Sequence, residues 1–170
     1  RGYKTSLDMS QDLFSLSQTP IVVVCSGVKS FLNVEKTIEA LETFGVTTVG
    51  YKTDTFPLFY SSKSNNKLQY SFNTVGGLVG TYRENIKNQL QSSLLVLNPV
   101  PKKDEILEEK IKNIISKSIS KMEKLGIIGN KTTPFLLNEI AEKTKNKSLE
   151  TNISLALNNI KLGAKIALEM

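Results

Sequence analysis

Two short apolar runs, IVVVC at 21–25 and LLVL at 94–97, restrict this chain more than any other part of it. Each is short for a buried helix and lacks the alternation of a strand with one wet face, so each reads as a strand covered on both sides. Parallel neighbours of this kind are joined by crossovers long enough to hold a helix. The first run is therefore expected in the middle of a sheet. Asn33 is placed to cap a helix with Val34, Ile38 and Leu41 at helical spacing, and Gly45 to close it. A further strand is expected over Thr47–Tyr51, leading into the loop KTDTFPLFYSS and a polar connection at 63–68. A helix from Val75 to Gln91 follows, weakened at its start by Gly76 and Gly77.

Beyond Pro101 the pattern is helical. Leu107, Ile111, Ile114, Ile115, Met122 and Leu125 mark one stripe of a long amphipathic helix ended by Gly126. Thr133 and Pro134 read as a cap and first helical residue. A last helix has Ile153, Ala156, Leu157, Ile160, Ala164 and Ala167 on a common face. Alternating strands and helices followed by helices imply an α/β fold, a layered α/β/α domain with a central sheet and a helical carboxyl-terminal region. With 170 residues and 39% apolar content, residues 1–170 are expected to form one domain.

The chain has no histidine, which excludes a Ser-His-Asp triad, a Cys-His pair or an imidazole zinc site unless another chain supplies the ring. Chemistry must come from Lys, Asp, Glu, Ser or Tyr. The net charge of +6 suits an anionic ligand such as a phosphate ester. Nucleic acid is not expected, because the lysines of DEILEEKIKNIISKSISKMEK alternate with Glu and no aromatic stacking motif accompanies them. No run approaches the roughly 18–20 apolar residues of a membrane span, and no signal-peptide core is present, so no membrane association is expected. The lone Cys25 allows no internal disulfide and fits a reducing compartment, the cytoplasm, with an organelle not excluded.

Two places carry candidate chemistry. Ligands of open α/β sheets gather at the carboxyl ends of strands, where SGVKS at 26–30 delivers Lys29. This lysine is either a solvated loop charge or, held between apolar walls, an amine able to attack a carbonyl or ring-opened sugar. The second place is DMSQDL at 8–13. Extended, it would project Asp8, Ser10 and Asp12 to one side. With Ser10 capping a helix over QDLFSLSQ, its hydroxyl and the following amides would form an anion-binding corner. Carboxylates beside a phosphate-binding corner also suit a hard cation, Mn²⁺ or Mg²⁺.

The blocks DMSQDLFSLSQTPIVVVCSGVKSFL, GYKTDTFPLFY, LVLNPVP, TPFLLNEIAEKT and SLETNISLALNN, in this order, resemble the pseudouridine-5'-phosphate glycosidase family, also called indigoidine-synthase-A-like proteins. The resemblance covers the carboxyl-terminal part of that family. It implies reversible conversion of pseudouridine 5'-phosphate and water to uracil and ribose 5-phosphate, through a lysine Schiff base with C1' of ring-opened ribose. It further implies Lys29 as that catalytic lysine, Asp8 as the residue holding Mn²⁺ or Mg²⁺, and Ser10, Gln11, Asp12 and Asn152 as substrate-binding residues. The partners it implies are an amino-terminal segment or chain of the same enzyme and further copies in a homotrimer. Ser26 stands where the family has alanine, a change expected only to preserve the loop. A related C-glycoside-forming enzyme and a non-catalytic phosphosugar-binding subunit are the alternative readings.

Overall fold

The computed structural model of the chain describes residues 10–170. Strands β1 (Val22–Cys25), β2 (Thr47–Tyr51), β3 (Ser71–Phe72) and β4 (Leu94–Leu97) form a parallel sheet in the order β1-β4-β2-β3. Helices α1 (Gln11–Gln18) and α2 (Val34–Thr43) pack on one face. Helices α3 (Val75–Lys87) and α6 (Lys147–Glu169) pack on the other. The expected α/β/α layering is thus present.

Strand β4 shows why. Leu94 and Val96 join Val49, Leu78, Leu162 and Ile166 in one layer of core, while Leu95 and Leu97 join Leu41, Val46 and Phe56 in the other. A strand alternates its side chains across the sheet, so a run of four apolar residues fills both layers at once. Strand β1 has the same composition, yet it lies at an edge rather than in the middle, and all four of its residues are half-buried. Apolarity on both faces reports what covers the faces. It says nothing of whether a strand is paired along both edges.

Local signals place α2 well. The Asn33 side chain accepts the Lys36 N–H at 2.7 Å, and Gly45 follows the helix with φ +64°. Strand β3 had no sequence signal, being two residues set in a polar stretch. It also explains the glycines after it: a Cβ on Gly77 would lie 2.6 Å from the Phe72 ring, so the apparent weakness of α3 is where β3 packs against it. Helix α3 stops at Lys87, short of Gln91, because Gln89 turns to φ +57°.

The carboxyl-terminal region begins with helix α4 (Glu108–Lys124) and α5 (Thr132–Lys143). They enclose a third cluster of Tyr60, Ile106, Ile111, Ile115 and Ile140. Leu107 and Leu125, expected in the α4 stripe, are its exposed end caps. Helix α5 starts one residue before Thr133, after a 3₁₀ turn at Gly129–Lys131, so Thr133 is not its cap and Pro134 is its third residue. Proline is tolerated there because the first-turn N–H groups have no helical partner.

Helix α6 turns a different face inward from the one its apolar spacing picks out. Its buried residues include Thr151, Leu155, Leu162 and Ile166. Ile153, Ala156, Leu157, Ile160, Ala164 and Ala167 are all exposed. A helix with apolar residues on two sides does not declare which side the sheet will cover.

Glu139 ties α5 to α4 through Lys121 and to its own next turn through Lys143 at 3.2 Å. The Lys121 hydrogen bond, outweighing burial and assisted by Lys143, holds its carboxyl below the ordinary value of 4.5. A carboxyl depressed in the folded state stabilises above its unfolded value, and that contribution is lost as pH falls through the folded one. Glu139→Gln is therefore expected to lower the denaturation midpoint at neutral pH and to flatten its decline toward acid, as urea titrations across pH would show.

Candidate functional site

The carboxyl ends of β1, β4 and β2 meet a loop that folds back over them. After β1, Gly27 takes φ +83° and pairs with Leu58; a Cβ here would fall 1.8 Å from the Pro57 carbonyl oxygen. The turn is latched further by the Phe59 N–H donating to the Ser26 carbonyl at 3.0 Å and by Ser30 Oγ donating to the Leu58 carbonyl at 2.6 Å. Lys29 lies in this turn and is half-buried. Its carbonyl accepts the Leu32 N–H at 2.8 Å. Val28 before it packs into the α2-side core, and Phe31 after it into the α4–α5 cluster. Both sides of the lysine are anchored in different parts of the core, which fixes its backbone.

Ser10 caps α1, accepting the Asp12 N–H at 3.4 Å and donating to Asp12 Oδ2 at 2.9 Å. The end of α1 lies beside the start of β4, where the Ser93 N–H donates to the Leu16 carbonyl at 2.7 Å. A three-residue link, Thr19 to Ile21, then turns the chain into β1. Leu13 and Leu16 pack the helix against the α2-side core. Asp8 lies outside the described residues. Among the described residues no group of three or more Cys, Asp or Glu side chains gathers to hold an ion.

Asn152 is half-buried near the start of α6. That start is tied to the segment after β4: Thr151 Oγ1 donates to the Asp104 carbonyl at 2.7 Å, and Ser154 Oγ to Asp104 Oδ2 at 2.6 Å. Two helical turns further on, on the same flank, Asn159 binds both strand ends. Its Oδ1 accepts from Asn98 Nδ2 at 3.0 Å and its Nδ2 donates to Ser26 Oγ at 3.1 Å. Ser26 is 2% exposed, so the serine expected only to preserve the loop instead joins it to α6. Sequence reasoning placed Asn98 at a polar strand end but missed its partner Asn159. The sole signal was an amide placed mid-helix, where its propensity is poor.

A groove of about 780 Å³ opens beyond the ends of β2 and β4, lined by Lys52, Lys63, Lys102, Lys161 and Lys165 with Asp54 as the acidic member. Lys29 does not line it. Asn98 does, and its partner Asn159 reaches the Lys29 turn, so groove and lysine share one sheet end separated by β4. The excess of lysine there favours anions. No helix among the described residues is long and apolar enough to cross a membrane.

Fold and site together define an open, parallel α/β protein with its polar groups at the strand carboxyl ends, the position where this class binds ligands. Within that class the chain belongs to the indigoidine synthase A like family, whose description matches residues 1–169. It is 41% identical over 169 residues to a pseudouridine-5'-phosphate glycosidase of Glaesserella parasuis, covering 99% of this chain and 56% of the relative. The like-named protein of Kosmotoga olearia is 41% identical over 163 residues, covering 96% of this chain and 56% of the relative. The chain thus spans a little over half the length of these relatives. An indigoidine synthase A-like protein of Thermotoga maritima superposes with a TM-score of 0.88 at 37% identity, over 96% of this chain and 54% of the other. A prealnumycin C-glycosynthase, in complex with ribulose 5-phosphate, superposes with a TM-score of 0.86 at 25% identity, over 94% of this chain and 52% of the other.

Two outcomes follow. Asn159→Ala leaves buried Asn98 and Ser26 without their partner, and each such group costs about 1–3 kcal/mol, which denaturant unfolding will register. Cys25 is half-buried at the end of β1; burial of its thiol, against a Gly27 backbone hydrogen bond, pushes it up to about 11. Alkylation by iodoacetamide at neutral pH is expected to be about a hundredfold slower than for an ordinary thiol.

Proposed function

We propose that this chain is the carboxyl-terminal part of a pseudouridine-5'-phosphate glycosidase, completed by an amino-terminal segment or chain. The carrying observation is its identity of about 40% to proteins of that name over almost its whole length. The half-buried strand-end lysine, held in a latched turn, supports Lys29 as the nucleophile. Its Nζ would bond to C1' of the ribose as the sugar ring opens. The C1'–C5 bond then breaks, C5 of the released uracil takes a proton, and water hydrolyses the imine to ribose 5-phosphate and free amine.

Ser10, Gln11 and Asp12 would orient the sugar phosphate from the start of α1, and Asn152 would face the pyrimidine from α6. Asp8, with Asp12 near it in sequence, offers the oxygen donors that Mn²⁺ or Mg²⁺ prefers. The Ser10 hydroxyl, turned onto the Asp12 carboxylate, adds a further oxygen to that segment and supports the reading. Bound there, the ion would supply positive charge to the phosphosugar. The homotrimer implied by the resemblance belongs to the same proposal.

A second reading, formation of a different C-glycoside, is favoured by the likeness to the C-glycosynthase bound to a phosphopentose. Uracil release separates the two. In the completed enzyme, borohydride with ribose 5-phosphate is expected to add one reduced pentose phosphate to the peptide carrying Lys29. Lys29→Ala should abolish both the adduct and uracil release, a loss of at least about a thousandfold. Unchanged turnover in that variant would refute the assignment.

A further inference from the structure

The lysines of the groove stand without acidic partners. The five ammonium groups of Lys52, Lys63, Lys102, Lys161 and Lys165 line it against the single carboxylate of Asp54. Among the described residues none of the five is in an ion pair; such pairs lie on α3, between α4 and α5, and at the first turn of α6. Asp104 and Glu105, the acids that follow close after Lys102, are occupied elsewhere. Asp104 Oδ2 accepts from Ser154 Oγ at 2.6 Å, and Glu105 Oε2 accepts the Ser62 N–H at 3.1 Å and the Ser62 hydroxyl at 2.6 Å. Ammonium groups gathered around one opening repel one another, as do Lys161 and Lys165 one turn apart on α6.

The walls that carry these charges are fixed. Lys52 takes φ +55°, a conformation a lysine seldom adopts, and its N–H is held by the Phe72 carbonyl at 2.8 Å. Just ahead of it the turn is tight: a Cβ on Gly50 would fall 2.1 Å from the Thr53 carbonyl oxygen. The Lys52 ammonium stands 5.3 Å from the centre of the Tyr51 ring, which also lines the groove. Such backbone conformations persist where the surroundings over-determine them, and they gather at ligand sites. On the opposite wall Asn158 Nδ2 donates to the Pro99 carbonyl at 3.1 Å, and buried Val100 and Leu162 add an apolar lining.

We propose that the groove is a second anion site, beside the one proposed for the phosphosugar, and that it takes linked phosphates: the chain of a nucleoside di- or triphosphate, or free tripolyphosphate. A phosphate monoester carries about two negative charges at neutral pH and would leave most of the five ammonium groups unmatched. Linked phosphates set further charges in a row, and lysine binds phosphate as a flexible point charge, so several can gather along such a row. The volume of about 780 Å³ is that of a small-molecule site. The groove lies across β4 from Lys29 and is independent of the catalytic role proposed for that residue.

The test is calorimetric titration of the 170-residue chain, in metal-free buffer, with tripolyphosphate, ATP and inorganic phosphate, together with amide chemical-shift mapping. Tripolyphosphate is expected to bind at least about tenfold more tightly than inorganic phosphate. Lys161→Gln combined with Lys165→Gln should weaken it at least about tenfold, whereas Lys112→Gln with Lys117→Gln on α4, equal in net charge, should weaken it less than about twofold. Both pairs are exposed on helices, and circular dichroism reports whether each variant is folded. Shifts should centre on Thr53, Asn98 and Lys161. ATP binding as tightly as tripolyphosphate assigns the site to a nucleotide, and much weaker ATP binding to the free oligophosphate. Equal weakening by the α4 pair would reveal only diffuse attraction to a basic chain, and equal affinity for inorganic phosphate would remove the preference for linked groups. Shifts centred on Ser10, Asp12 and the Lys29 turn would move the ligand to the other anion site. Each of these three results overturns the proposal. So does binding that disappears when the chain is co-expressed with the portion of the Kosmotoga olearia glycosidase it does not cover, which would assign the lysines to that interface. Lys29→Ala should leave tripolyphosphate affinity unchanged, so loss of the catalytic reading and loss of the groove site register separately.

Discussion

Strand β4 is paired along both edges and apolar on both faces, and the rest of the molecule is organised around that double requirement. Its flanking strands β1 and β2 supply hydrogen bonds, and the two layers of helices supply cover. None of its four residues is more than 5% exposed. With backbone groups that must be satisfied and side chains that must be buried, the strand leaves little choice of neighbour. Its carboxyl end is consequently a rigid place, and Asn98 projects from it.

From that place one amide links the layers. Asn159 on α6 holds Asn98 after β4 and Ser26 after β1, so the helix cannot slide without breaking contacts to two strand ends. The Lys29 turn inherits this rigidity at one side and its latch onto Pro57–Leu58 at the other. In the proposed role of Lys29 such support would lower the entropy lost when the amine meets a substrate. The lysine-lined groove across β4 adds a positive field at the same sheet end.

Much of this was legible in the chain. The runs at 21–25 and 94–97 announced parallel strands, Asn33 announced the start of α2, and Ser10 announced the cap of α1. In each case the signal and its effect lie within a few residues. Lys29 could be placed at a strand end from the order of elements alone. Strand β3 could not be seen, because two residues carry no periodicity. Asn159 could not be matched with Ser26, because the partners are 133 residues apart and nothing local links them.

The outer stripe of α6 marks the division most clearly. Sequence by itself determined that α6 is a helix and that Ile153, Leu157 and Ile160 share a face, since both follow from the helical repeat. Tertiary structure decided that Leu155, Leu162 and Ile166 would be the residues turned inward. It likewise decided that β1, as apolar as β4, would stand at the edge of the sheet. Periodicity is a property of one segment, whereas a buried face and a paired edge are properties of two surfaces in contact. Only the folded chain specifies the second surface.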